Sequence, residues 1–350
     1  MKFGLLALFE SPEGRDESQV ISDQIDLMVA AEDLGFDSVW PAEHHFTEYG
    51  YCASPAVTLA AVAARTNRIR LGTGVVVLPL NHPVRIAEDF AFLDRLSDGR
   101  VELGVGRGYQ PAEFAGYNVD PSRSREMMNE ALEVILGTWT QDDFCYDGDF
   151  YHVEHLHTRP RPIQQPHPPV WMAALSEESF AMCGRLGLNL LCAPVFGFDL
   201  RQGASFIAGY RQALAAAGHT VDDREIAALT ITYVADTSQQ ARAELQDAVL
   251  WYYRTLAKHI APAAGSAAIR GYESYGRARE FLETVDWDTV LEQGAVICGS
   301  PDEVSDRIAE AAESCGFNNL LAWTSIGGLD RRLARRSMEL LAEKVMPRFR

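Results

Sequence analysis

The chain has 350 residues, 47% hydrophobic and 23% charged, with a formal net charge of -18; this is the make-up of a globular protein with enough chain to bury a large core, and it excludes intrinsic disorder. The surplus of carboxylates repels phosphate backbones and anionic lipid, so neither nucleic acid nor a membrane is an expected partner. Six scattered cysteines with no Cys-x-x-Cys pair point to a reducing cytoplasm rather than a secreted disulfide framework.

The opening run Met1 to Glu10 is too short to span a bilayer and lacks a small-residue cleavage site, so it reads as a first strand. From there short apolar runs alternate with longer segments of helical periodicity, the signature of repeated βα units around a parallel sheet. Strands are predicted at Lys2 to Phe9, Ser38 to Pro41, Ile69 to Leu78, Val101 to Val105, Val170 to Ala174, Leu190 to Val195, Ala228 to Ala235 and Asn319 to Ser325. Helical patterns cover Gln19 to Leu34, Pro55 to Ala64, His82 to Leu96, Arg125 to Thr138, Ser176 to Leu186 and Ser238 to His259.

Eight strands in this rhythm fit a closed (β/α)8 TIM barrel, with residues 1–350 as one domain, better than an open doubly wound sheet. Two stretches break the rhythm. Phe144 to Pro169, rich in His, Pro and Arg, predicts a hairpin and an extended linker before the fifth strand. Ala261 to Gly294 opens on a Pro/Ala/Gly/Ser cluster, contains Arg270-Gly-Tyr-Glu-Ser-Tyr-Gly276, and reads as a lid-like insertion before the eighth strand.

In such a barrel the chemistry sits at the carboxyl ends of the strands. The second strand ends in Glu43-His44-His45, a dense group of titratable side chains. An imidazole gains or loses a proton near neutrality, so His44 is the acid/base candidate, held by Glu43 or His45; the competing reading is a pair of surface loop histidines. The third strand carries Gly72 and Gly74, where backbone either approaches a ligand or forms a bulge, and is followed by His82, a substrate-side or helix-entry residue.

Gly104-Val-Gly-Arg-Gly-Tyr109 fails as a dinucleotide fingerprint, because its third glycine comes one place early and Gln110-Pro111 follows. It presents Arg107 either to an anion, with Arg123 and Arg125 as helpers, or to one of the many carboxylates. Ser176 opens a helix as an N-cap or as part of a phosphate site, the latter complicated by Glu177 and Glu178. His152-x-x-His155-x-His157 matches no helical zinc motif and has no cysteine in support, so no metal is expected. No nucleophile elbow or Walker loop is present, which removes the usual support for acyl transfer and ATP hydrolysis.

The chain resembles the bacterial luciferase-like flavin-dependent monooxygenases, and within them the luciferase α subunit. The resemblance is carried in family order by Gly35-Phe-Asp-Ser-Val-Trp40, Glu43-His-His-Phe-Thr-Glu-Tyr-Gly50, Val77-Leu-Pro-Leu-Asn-His-Pro-Val-Arg85, Leu96-Ser-Asp-Gly-Arg100, Gly104-Val-Gly-Arg-Gly108 and Val345-Met-Pro347. It implies a barrel that takes reduced FMN (FMNH2) from a separate flavin reductase, forms a flavin C4a-hydroperoxide with O2 and oxygenates a small organic substrate such as an aldehyde or ketone. It also implies His44 as the catalytic histidine, a Gly74-Val75 peptide, often cis in the family, under the flavin ring, and Arg107, Arg125, Ser176 and Ser179 at the flavin phosphate. A homodimer is implied as well. Bioluminescent α subunits carry a cysteine where this chain has Gly106 and a glutamate where it has Leu175, so light emission is not expected. Relatives on the same barrel point to a second reading, an F420-dependent hydride-transferring oxidoreductase; a third is a non-catalytic flavin-binding subunit, against which His44 argues.

Overall fold

The computed structural model describes residues 1–12, 14–193, 200–260, 279, 281–292, 294 and 296–350. Its strands are β1 (Lys2–Ala7), β2 (Ser38–Pro41), β3 (Arg70–Gly72), β4 (Val76–Val77), β5 (Val101–Gly106), β6 (Phe144–Asp147), β7 (His152–Leu156), β8 (Val170–Ala174), β9 (Asn189–Cys192), β10 (Ile226–Val234), β11 (Val296–Gly299) and β12 (Asn319–Trp323). Eight of them close a parallel ring in the order β1-β2-β3-β5-β8-β9-β10-β12, and β12 pairs back onto β1 with Lys2 opposite Asn319. The TIM barrel expected from the βα rhythm is therefore the architecture.

The helices of the first three quarters are α1 (Glu17–Asp33), α2 (Pro55–Ala63), α3 (Pro83–Leu96), α4 (Pro111–Gly116), α5 (Ser124–Thr140), α6 (Glu177–Arg185), α7 (Leu200–Ala216) and α8 (Ser238–His259). Then come α9 (Trp287–Glu292), α10 (Pro301–Cys315) and α11 (Arg331–Leu340). Their starts follow from capping chemistry: Asp16 accepts from the Gln19 N–H, Ser54 from that of Val57 just before Pro55, and Ser300 from that of Glu303 just before Pro301. None of the described helices is long and apolar enough to cross a membrane.

Because helices cover the outside of the ring and side chains fill its inside, β5 and β12 are buried at every residue, which explains their near-continuous apolar sequences. Alternation still divides the two layers. In β1, Phe3, Leu5 and Ala7 pack outward against helices, while Leu6 joins Trp40, Trp171, Leu191, Ile231 and Trp323 in a second cluster. Trp40 and Trp171 meet edge to face with ring centroids 5.3 Å apart, plugging the interior.

Three differences from the sequence reading have physical causes. The third strand is broken into β3 and β4, because the barrel interior at this level belongs to Trp40: a Cβ on Gly72 would lie 2.3 Å from its ring. That glycine serves packing, not ligand approach. A further strand, β11, pairs only with Ile231–Val234 in the second half of β10, outside the ring, and four residues ending in glycine gave no periodic signal. Helices α4, α7, α10 and α11 were also not anticipated. The hairpin formed by β6 and β7 is present, and the linker after it enters β8 through cis peptide bonds at Pro160 and Pro166. Most of the lid-like insertion, including Arg270 to Gly276, lies outside the described residues.

Candidate active site

Glu43, His44 and His45 leave the carboxyl end of β2 and turn inward; their relative exposures are 4, 7 and 3%, so they are not surface loop histidines. The carboxylate of Glu113, from the short helix α4, organises them. Its Oε1 lies 2.9 Å from His44 Nδ1 and accepts the backbone N–H of His45 at 3.0 Å. A carboxylate can only accept here, so it places the proton of a neutral His44 on Nδ1 and leaves the Nε2 lone pair on the opposite edge of the ring. The Gln110 amide nitrogen is 3.3 Å from the same Nδ1; turning the amide over aims its oxygen at the Nδ1–H as a second acceptor.

Glu43 does something different. It accepts from the Val77 N–H at 2.8 Å and from Asn81 Nδ2 at 2.9 Å, and it pairs with His45 Nε2 at 3.0 Å, while the Tyr117 hydroxyl is 3.2 Å from His45 Nδ1. Glu43 and His45 thus tie β2 to the segment after β4. The group that orients His44 is Glu113, not Glu43 or His45.

From His44 Nε2 a file of phenols runs across the barrel mouth. The Tyr109 hydroxyl is 3.4 Å from Nε2 and donates to Tyr49 at 2.6 Å, and Tyr49 is 2.9 Å from the Tyr252 hydroxyl on α8. Burial pushes all three hydroxyls well above the ordinary tyrosine range, so they stay protonated and act as hydroxyl dipoles, not phenolates. Beyond the end of β1, Glu10 is buried, and desolvation pushes its carboxyl up to about 8. One of its oxygens accepts the Gly327 N–H at 2.9 Å, and the carboxyl lies against the Trp323 side chain.

The peptide bond between Gly74 and Val75 is cis, and the backbone on both sides is held: Gly74 donates to the Pro41 carbonyl at 3.0 Å, and the Val75 carbonyl accepts from the Glu43 N–H at 3.1 Å. It is therefore anchored to the same strand end that presents His44. Arg107, half-buried, directly follows β5. Arg125, in the first turn of α5, pairs at 2.6 Å with Glu178 in the first turn of α6, where Ser176 and Ser179 form a reciprocal capping box. That pairing answers the charge of Glu178 and gathers a guanidinium and two hydroxyls at one helix start. Arg123 lies apart, its guanidinium 4.2 Å over the Phe150 ring. His82 is exposed, with its ring edge-on to Tyr151 at 5.9 Å, so it faces the hairpin and not His44.

The sequence reading missed Glu113, Tyr109, Gln110, Tyr49, Tyr252 and Glu10. The first three had a signal: Gln110-Pro111 marks a helix start directly after a strand end, where Pro suits the first turn. Tyr252 sits mid-helix on α8 and had none.

The model of the family described as luciferase-like monooxygenase matches residues 1–319. The chain is 30% identical to 4-hydroxyprotoasukamycin monooxygenase of Streptomyces nodosus subsp. asukaensis, over 100% of this chain and 92% of that protein. It is 26% identical to the oxygenase component of the flavin-dependent trigonelline monooxygenase of Acinetobacter baylyi, over 100% and 96%. Among solved structures, the monooxygenase RslO1 of Streptomyces bottropensis superposes with a TM-score of 0.86 at 28% identity, covering 100% of both chains. At lower identity, where likeness speaks to fold alone, stand two further structures. One is the oxygenating constituent of 3,6-diketocamphane monooxygenase of Pseudomonas putida in complex with FMN (TM-score 0.83, 20% identity, 100% and 99% covered). The other is an F420-dependent secondary alcohol dehydrogenase (TM-score 0.79, 18% identity, 100% and 99% covered).

Proposed function

The chain belongs to the luciferase-like monooxygenase family, and on that footing we propose that it is the oxygenase component of a two-component flavin-dependent monooxygenase. It takes FMNH2 from a separate flavin reductase and inserts one atom of O2 into a small organic substrate. The observation that carries this reading is the buried His44–Glu113 pair set beside the anchored cis Gly74-Val75 peptide at the carboxyl ends of the barrel strands.

The donor set suits the cofactor. A flavin mononucleotide combines a flat, largely apolar ring with a phosphate. Gly74-Val75 supplies backbone without bulk for the ring, and Arg125, Ser176, Ser179 and the α6 start supply charge and donors for the phosphate, with Arg107, at the end of β5, as a further cation. When bound, reduced flavin supplies the electrons that activate O2. The protein's part is proton handling. His44 Nε2, unprotonated in the tautomer that Glu113 sets, takes a proton from a reacting group, and the imidazolium so formed is stabilised by the same carboxylate. The three tyrosine hydroxyls hold neutral dipoles along one wall of the mouth and keep bulk water from it.

FMN rather than F420 is supported by a relative named as a flavin-dependent monooxygenase. Anaerobic titration with photoreduced FMN and with reduced F420 separates the two: FMNH2 binds at least about tenfold more tightly, and saturation by F420 alone would refute the assignment. Residues 1–350 act as one domain, since the first and last ring strands pair and the Met1 amine meets the Phe349 carbonyl at 2.9 Å. Six free cysteines, five of them buried, suit a reducing cytoplasm. A homodimer is the assembly we infer from the family resemblance.

A further inference from the structure

The hairpin of β6 and β7 carries a second group of reactive side chains that the oxygenase chemistry does not use. Asp143 and Cys145 flank Phe144 on one side of it, and His155 and His157 flank Leu156 on the other, and Phe144 is paired with Leu156 across the two strands. A register shift between Phe144 and Tyr146 brings the pairs together. His155 Nδ1 is 3.0 Å from Asp143 Oδ2 and 3.9 Å from Cys145 Sγ, and Sγ accepts the His155 backbone N–H at 3.3 Å. The donor atoms of Asp143, Cys145 and His155 all lie within 4.8 Å of one another.

His157 adds a chemical argument. Its Nδ1 is 2.7 Å from the Asp142 carbonyl oxygen, which can only accept, so Nδ1 carries the proton and Nε2 a lone pair. That lone pair faces Asp143 Oδ1 at 3.9 Å. A neutral His157 sets that lone pair against the carboxylate, a contact that either a proton on Nε2 or a cation between them relieves, and an imidazole whose other nitrogen donates to a carbonyl is the form that ligates metals. His155 is held in the left-handed region at φ 47°, an uncommon conformation for a non-glycine residue.

We propose that this face of the hairpin binds a zinc-class divalent cation through Cys145, His155 and Asp143, with His157 Nε2 completing the set. Thiolate and imidazole donors select a borderline-soft ion such as Zn2+ over Mg2+ or Ca2+. With Zn–S near about 2.3 Å and Zn–N near about 2.0 Å, donors around a tetrahedral ion stand about 3.3–3.6 Å apart. The 3.0 and 3.9 Å separations bracket that range, so small side-chain rotations suffice. The sequence reading set His152, His155 and His157 aside for want of a zinc motif or a supporting cysteine and expected no metal; in the structure His152 pairs with Asp147 at 2.7 Å, and Cys145 stands beside His155. Such an ion would staple a two-stranded ribbon that is marginal by itself.

The test uses the full-length protein without a histidine tag, freed of metal with a chelator and titrated with Co2+. One equivalent is expected to give a thiolate-to-cobalt charge-transfer band that Zn2+ abolishes. Zn2+ is also expected to slow modification of Cys145, the one exposed cysteine, by a thiol reagent at least about tenfold. Cys145→Ser removes the band, His155→Ala and Asp143→Asn weaken binding about tenfold or more, and His152→Ala leaves it unchanged. All four positions are exposed, and metal-free thermal unfolding of each variant, expected to match the unsubstituted protein, reports that the fold is intact. The proposal is overturned if no charge-transfer band forms, if the band survives Cys145→Ser, or if His155→Ala and Asp143→Asn bind as tightly as the unsubstituted chain.

Discussion

Replacing Glu10 by Gln should convert a pH-dependent stability into a flat one. The carboxyl is buried, one oxygen accepts the Gly327 N–H, and desolvation pushes its pKa up to about 8 against an ordinary 4.5. In the unfolded chain the proton leaves near 4.5, whereas in the folded protein it stays until about pH 8. Stability from this group is therefore fully present below about pH 4.5, falls as pH rises between the two values, and is flat above. At about 1.4 kcal/mol for each tenfold change in proton affinity, the full loss is about 5 kcal/mol, of which about 4 kcal/mol lies between about pH 5 and about pH 9. For 350 residues, an unfolding entropy of about 2.1 cal/mol/K per residue makes this about 5 °C in Tm. Glutamine keeps an oxygen for Gly327 and never ionises. The Tm advantage of Glu10→Gln over the unsubstituted protein, measured by circular dichroism at constant ionic strength, should thus widen by about that amount over this range. An advantage that stays constant with pH would show that Glu10 is not a buried neutral acid.

Other outcomes bear on the site. His44→Ala should leave FMN affinity within about threefold while lowering coupled oxygenation by roughly a hundredfold, scored as product against hydrogen peroxide; undiminished product would remove His44 from the chemistry. Glu113→Ala strips His44 of its orienting carboxylate and the His45 N–H of its acceptor, so turnover should fall about tenfold or more with a displaced pH profile; Glu113→Gln, which can still accept, should recover most of it, and equal loss in both variants would argue for a purely electrostatic role. Gly72→Ala forces a methyl into the Trp40 ring and should cost about 1–3 kcal/mol in urea unfolding; an unperturbed midpoint would mean that the Trp40–Trp171 plug repacks freely.

The barrel was legible because its information is local and repeated. Each parallel strand is buried on both faces and reads as a short apolar run, each helix as a 3.6-residue period, and the caps at Asp16, Ser54 and Ser176 stand in plain sequence. The motif Glu43-His44-His45 was likewise visible as titratable groups where turn residues belong. Tertiary structure decided the division of labour within it. Glu113 is 69 residues from His44 and Tyr252 is 203 from Tyr49, and no periodicity encodes contacts made only when the ring closes. The same closure gave Gly72 to Trp40 and brought Val77 and Asn81 to Glu43. On the hairpin, cross-strand register set Cys145 beside His155, a neighbour that sequence spacing did not show. Sequence fixes which side chains stand at strand ends; partners depend on how strands from distant parts of the chain are brought level, and that is a property of the closed barrel alone.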